Sequence, residues 1–97
     1  MISSACLVPT AHASRYLQQL CKHWSHRLTV SFTPESGKVE LPEGAVLQLV
    51  ARLDNLDLDL GAPDAGTLER MKGVVQRHLD RFAFREAPLV FDWRDAD

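Results

Sequence analysis

Leu47-Gln48-Leu49-Val50-Ala51-Arg52-Leu53-Asp54-Asn55-Leu56-Asp57-Leu58-Asp59-Leu60 is the stretch that decides the fold. Leu47, Leu49, Ala51 and Leu53 fall on one side; Leu56, Leu58 and Leu60 then alternate with Asp57 and Asp59. A period of two marks half-buried β-strands. Asp54-Asn55 stands where a two-residue hairpin turn belongs, although it lacks the favoured Gly at its second position. The reading is an antiparallel pair with leucines on one face and carboxylates on the other.

Working outward, the same period recurs upstream. Leu28, Val30 and Phe32 alternate with Thr29, Ser31 and Thr33, Pro34-Glu35-Ser36-Gly37 turns the chain, and Val39 and Leu41 continue to a second turn at Pro42-Glu43-Gly44. Four strands in series make a meander. The period changes on both flanks. Ala13, Tyr16, Leu17, Leu20, Cys21 and Trp24 repeat at helical spacing after Thr10, a suitable N-cap, and Ala5 to Val8 read as a short strand before it. Downstream, Asp64 caps a second helix whose buried stripe is Leu68, Met71, Val75, Leu79 and Phe82. Gly73 inside it costs ~1 kcal/mol against Ala, which suggests a close packing contact. Leu89, Phe91 and Trp93 alternate as a last strand. The expected fold is α+β, a two-layer sandwich in which an antiparallel sheet carries two helices on one face, in the order β-α-β-β-β-β-α-β. Its first seven elements resemble, in order alone, the TATA-binding-protein half-domain, a likeness that carries no function.

Length and composition set the frame. Residues 1–97 suit a single domain, and a chain this size buries roughly 64% of its unfolded surface without staples. Hydrophobic residues are 45% and charged residues 25%, the usual globular mix. There is no apolar run long enough to span a membrane and no basic, apolar leader at Met1-Ile2-Ser3-Ser4, so a cytoplasmic location is expected. Cys6 and Cys21 fit a reducing compartment. A net charge of −2 argues against nucleic-acid binding.

Two longer motifs carry a family resemblance. Residues 13–26, Ala-Ser-Arg-Tyr-Leu-Gln-Gln-Leu-Cys-Lys-His-Trp-Ser-His, and residues 78–86, His-Leu-Asp-Arg-Phe-Ala-Phe-Arg-Glu, resemble a small bacterial family known as domain of unknown function family 2218. The likeness runs over nearly the whole chain. The family has no established activity, so no catalytic role follows. Related domains accompany siderophore-interacting reductases, and the resemblance therefore implies a link to iron handling.

The polar residues offer few chemistries. Cys21, His23 and His26 form C-x-H-x-x-H, and all three types ligate zinc or iron. On a continuous helix Cys21 and His23 point about 200° apart, whereas His23 and His26 share a face. His12 lies ~16 Å or more along the axis from His23. A metal site would thus need His23, His26 and His78, the last beside the buried stripe of helix two. The blander alternative has His78 as a hydrogen-bonded residue at the core edge and His23 and His26 on helix-end carbonyls, and it is favoured because two histidines without a third ligand hold metal poorly. Cys6 and Cys21, on a strand and a helix ~10 Å apart, are not a disulfide pair. Ser25 has no nucleophile elbow. Asp57 and Asp59 read as a solvated sheet face rather than an acid–base pair. Nothing points to catalysis, and no particular cofactor is indicated.

Charge is segregated. Residues 11–27 carry +3 (Arg15, Lys22, Arg27) and residues 65–86 carry +2, including Arg77, Arg81 and Arg85 at intervals of four. Residues 34–64 carry −5 and residues 92–97 carry −2. Lys22, Arg27, His78, Arg81 and Arg85 are therefore the expected ligand-binding set, forming one positive surface where the helices end. It would receive an anionic ligand or an acidic protein partner. Pairing of Arg81 and Arg85 with Asp80 and Glu86 would make the cluster merely structural. The expected function is that of a non-enzymatic accessory or ligand-binding domain. The alternatives are a metal- or iron-linked domain assisting siderophore or redox chemistry, and an interaction module or homodimer.

Overall fold

The structure, a computed structural model, describes residues 1–96; Asp97, one of the acids counted above, lies outside them. The elements are β1 (Ile2–Pro9), α1 (Ala13–Trp24), β2 (Thr29–Phe32), β3 (Ser36–Glu40), β4 (Val46–Ala51), β5 (Asn55–Ala62), α2 (Ala65–Phe82) and β6 (Arg94–Asp95). They form one six-stranded sheet in the order β2-β3-β4-β5-β1-β6, antiparallel throughout. α1 lies over β2 to β5 and α2 over β5 and β1, which gives the two-layer α+β fold in the expected order. No described helix is long and apolar enough to cross a membrane.

The leucines of β4 and β5 organise the core. Leu47, Leu49, Leu56, Leu58 and Leu60 are buried against Leu17, Leu20 and Leu79 from the helices. Each such leucine contributes roughly 1.5–3 kcal/mol relative to an exposed position. In α1 the buried residues are the six that the spacing selects, Ala13, Tyr16, Leu17, Leu20, Cys21 and Trp24. Gly37 lets α1 settle on β3, because a Cβ there would lie 3.0 Å from Cys21 Sγ and 3.3 Å from Phe32 Cβ. The turn before β4 places Glu43 (φ 64°) and Gly44 (φ 79°) in the left-handed region.

Four local readings need correction. The β4–β5 turn is Leu53-Asp54, with Ala51 opposite Leu56 and Arg52 N–H donating to Asn55 O at 2.9 Å. The register has slid by two residues, so the inward face is unchanged but Leu53, 90% exposed, leaves the ladder. α1 starts after His12, and Thr10 is not its cap: Thr10 Oγ1 instead accepts from His12 N–H and donates to Glu86. Gly73 makes no tight packing contact, since a Cβ there would meet only the flexible end of Arg77. Phe91 and Trp93 do not belong to a strand.

They belong instead to a strap that runs back along α2. Asp80 accepts from Leu89 N–H (2.8 Å), Gln76 accepts from Trp93 Nε1 (2.8 Å), and Lys72 Nζ pairs with Asp95 (2.9 Å). Residues 72, 76 and 80 lie four apart, so one helix face fastens the segment at three points. Indole and backbone bonds to helix side chains replace the strand ladder until Arg94 reaches β1 opposite Ala5. Asp64 does cap α2, accepting from Thr67 N–H at 2.8 Å.

Candidate functional site

α1 ends because its last carbonyls are taken by the turn that follows. Ser25 N–H donates to Cys21 O, Arg27 and Leu28 N–H both donate to Trp24 O, and Ser25 Oγ donates to Lys22 O. This turn holds His26 and Arg27 beside His23, facing α2. On α2, His78 Nδ1 donates to Val74 O at 2.7 Å, which fixes the ring and leaves Nε2 as its free nitrogen. The His78 ring lies 5.0 Å from Trp24 and 5.5 Å from His23, centroid to centroid, and His23 meets the edge of Phe82 at 5.7 Å. His23, Trp24, His26, Arg27 and His78 line a cleft of about 380 Å³. Trp24, 7% exposed, is its apolar wall.

Burial of the packed side of His23 holds its imidazole below the ordinary value of 6.5, and the neighbouring His78, Arg81, His26 and Arg27 push the same way. Every charge felt there is cationic. Among the described residues neither Arg27 nor Arg81 makes an ion pair. The acids expected to neutralise them are engaged elsewhere. Asp80 accepts from Leu89 N–H, and Glu86 accepts from Thr10 Oγ1 and from the Tyr16 hydroxyl.

The structure thus brings His23, His26, Arg27 and His78 together around the cleft, and Arg81, outside its lining, acts on His23 through its charge. Arg85 and Lys22 stand apart from the cleft lining: Arg85 lies over its neighbour Phe84, 5.6 Å from the ring centroid, and Lys22 is exposed on α1. Arg77 folds back over Gly73. His23 and His78 meet, but the described residues contain no group of three or more His, Cys, Asp or Glu able to hold a metal ion. Cys6 and Cys21 are buried free thiols, with Cys21 pushed up to about 11 by burial.

The sequence reading assigned Trp24 to the core and missed its place in the cleft wall. It also missed a trough of about 580 Å³ on the uncovered sheet face, lined by Leu7, Val50, Asp57, Asp59, Asp92 and Arg94 among others. Leu7, out of phase with Cys6 and Val8, was the available signal. In this trough two of the three carboxylates just named are paired, Asp57 with Arg52 at 2.6 Å and Asp92 with Arg94 at 3.3 Å.

The model of a bacterial family described as "Uncharacterized protein conserved in bacteria (DUF2218)" matches residues 5–94, a span that contains both motifs and the whole cleft. The chain belongs to this family. A solved structure, the NMR structure of PA4090 from Pseudomonas aeruginosa, is similar at 36% identity with a TM-score of 0.80, covering 97% of this chain and 96% of that one. No curated protein matches. The fold of this DUF2218 member is therefore shared with that solved structure over nearly the whole of both chains, and its chemistry has to be read from the cleft.

Proposed function

We propose that this family member is a non-enzymatic binding module that takes an anionic group of a small ligand in the helix-end cleft. The observation that supports the reading is the convergence of Arg27, His23, His26 and His78 on one cleft, with the Arg81 charge also reaching His23 and no acid engaged among the described residues. Both helices end here, and cations do complement the negative end of a helix dipole. Two helix ends supply only about half a charge each, however, less than two guanidiniums before any imidazole is counted. A cleft of this size lies within the range of small-molecule sites, roughly 300–1,000 Å³, and arginine suits forked contacts with oxyanions. The metal- or iron-linked reading has the His23–His78 contact in its favour and the two guanidiniums against it.

The test is amide shift mapping during titration with inorganic phosphate. Shifts should cluster at residues 23–28 and 78–82. Arg27→Ala with Arg81→Ala should weaken binding more than about tenfold, since each hydrogen bond between charged groups contributes about 1.5–3 kcal/mol. Salt near 1 M, where the Debye length is ~3 Å, should weaken it as well. Unchanged binding by the double variant would overturn the assignment. Metal retained stoichiometrically after purification without chelator would favour the iron-linked reading.

A further inference from the structure

We infer that the cleft captures a tetrahedral dianion together with a proton, taken up by the His23–His78 pair, and so binds it more tightly as the solution becomes acidic. This rests on the anion reading above and specifies both its ligand class and its regulation. Donors line the cleft from two elements: Arg27 and His26 from the turn after α1, His23 from its last turn, and His78 from α2, while Arg81 of α2, outside the lining, adds its charge. Each guanidinium offers five N–H groups and each protonated imidazole two. A carboxylate presents two oxygens in one plane, whereas a sulfate or phosphate group presents oxygens on several sides, which suits donors arriving from both walls.

The proton follows from the same geometry. His78 Nδ1–H is committed to Val74 O, so its Nε2 donates to an anion only when the ring is protonated. His23 stands 5.5 Å away, against Phe82, with His26 and Arg27 on its own side and His78 and Arg81 across from it. Among the described residues the charges that act on His23 are all cationic, while Asp80 and Glu86 are held by the strap and by Thr10 and Tyr16. In the empty cleft cations and burial both disfavour a protonated His23; a dianion between the walls reverses the first effect. Anion and proton therefore assist each other's binding, as linkage requires.

Sulfate is the probe, because its charge stays fixed from weakly acid to neutral solution whereas phosphate titrates. The affinity of the intact chain for sulfate should rise between about pH 7.5 and about pH 6, by up to about thirtyfold if about one proton is taken up throughout that range. Saturating sulfate should raise the pH at which the His23 ring titrates, read from its imidazole NMR signals in the unmodified protein. In His23→Asn, which keeps a donor without titrating, sulfate binding should lose most of its pH dependence. Equal affinity at both pH values, with an unmoved His23 titration, would overturn the proton coupling and leave the anion site standing. Failure of sulfate and phosphate alike to bind at either pH would remove the anion reading, and this inference with it.

Discussion

The helix-end cleft and the outer-sheet trough are both concave and both charged, but they handle charge in opposite ways. In the trough Asp57 meets Arg52 and Asp92 meets Arg94, so each of these acids has a cation of its own. At the cleft Arg27 and the nearby Arg81 have no ion-pair partner among the described residues, and Asp80 and Glu86 hold the chain in place instead. Leaving like charges together costs stability that pairing would recover. The trough is what a solvated face looks like when most of its carboxylates are matched; the cleft is what remains when matching is withheld. The walls differ too, since Trp24 in the cleft is 7% exposed whereas Leu7 in the trough is 63% exposed.

The largest expected effect comes from those walls. Trp24→Ala should destabilise the protein by about 3–5 kcal/mol, because a buried aromatic leaves a cavity. Leu7→Ala should change stability by no more than about 0.5 kcal/mol, as usual for an exposed position. Urea unfolding midpoints of the two variants decide it, and equal losses would erase the contrast between a built wall and an open face.

A smaller effect separates the cleft from the structural carboxylates by pH. The folded state holds His23 below 6.5, so as pH falls the unfolded chain takes up that proton first. The contribution of His23 to stability is thus complete above 6.5 and declines below it until the folded imidazole also protonates. Asp64 and Asp95 run the same way at lower pH, held below 3.8 by the Thr67 N–H and by Lys72 respectively. Their stabilisation is present above 3.8 and is lost as pH falls further. Thermal melts in low-chloride buffer should show a first decline beginning near 6.5, absent in His23→Asn, and a second well below it. A decline near 6.5 that persists in His23→Asn would detach it from the cleft.

The smallest effect tests the pairing itself. Arg52→Ala frees Asp57, yet Arg52 is mostly exposed, and such bridges contribute about 0–1 kcal/mol. The loss should shrink further in 1 M salt, and phosphate binding at the cleft should be unaffected. A change in phosphate affinity would mean that the two regions are coupled.

Much of this was legible because burial follows periodicity. The six buried residues of α1 and the leucines of β5 sit where spacing alone places them. The strap was illegible for the same reason. Leu89, Phe91 and Trp93 alternate as strand residues do, but bonds from Asp80, Gln76 and Lys72 decide their path, and no local pattern encodes those partners. The cleft was half legible. His78, Arg81 and Arg27 follow from charge at the helix ends, whereas the exclusion of Arg85 depends on α2 stopping at Phe82 and Arg85 settling on Phe84. The separate duties of Asp80 and Glu86 are tertiary facts as well, since Glu86 reaches Thr10 and Tyr16 across the whole chain.

The position of β1 in the sheet bears on how the chain acquires its shape. β2 to β5 are sequence neighbours joined by short turns and can zip together as they emerge from the ribosome. β1 is made before them but pairs with β5, Ile2 against Ala62 and Pro9 against Asn55, and with β6 on its other side. Its inward residues Cys6 and Val8 must wait, unpaired, until some fifty later residues have been synthesised. Long-range closures of this kind slow folding, because loop entropy is lost before the contacts form. Docking of β1 is accordingly expected to come after the β2–β5 meander has formed, and until it happens the nascent chain presents an apolar strand to whatever chaperone or neighbour it meets.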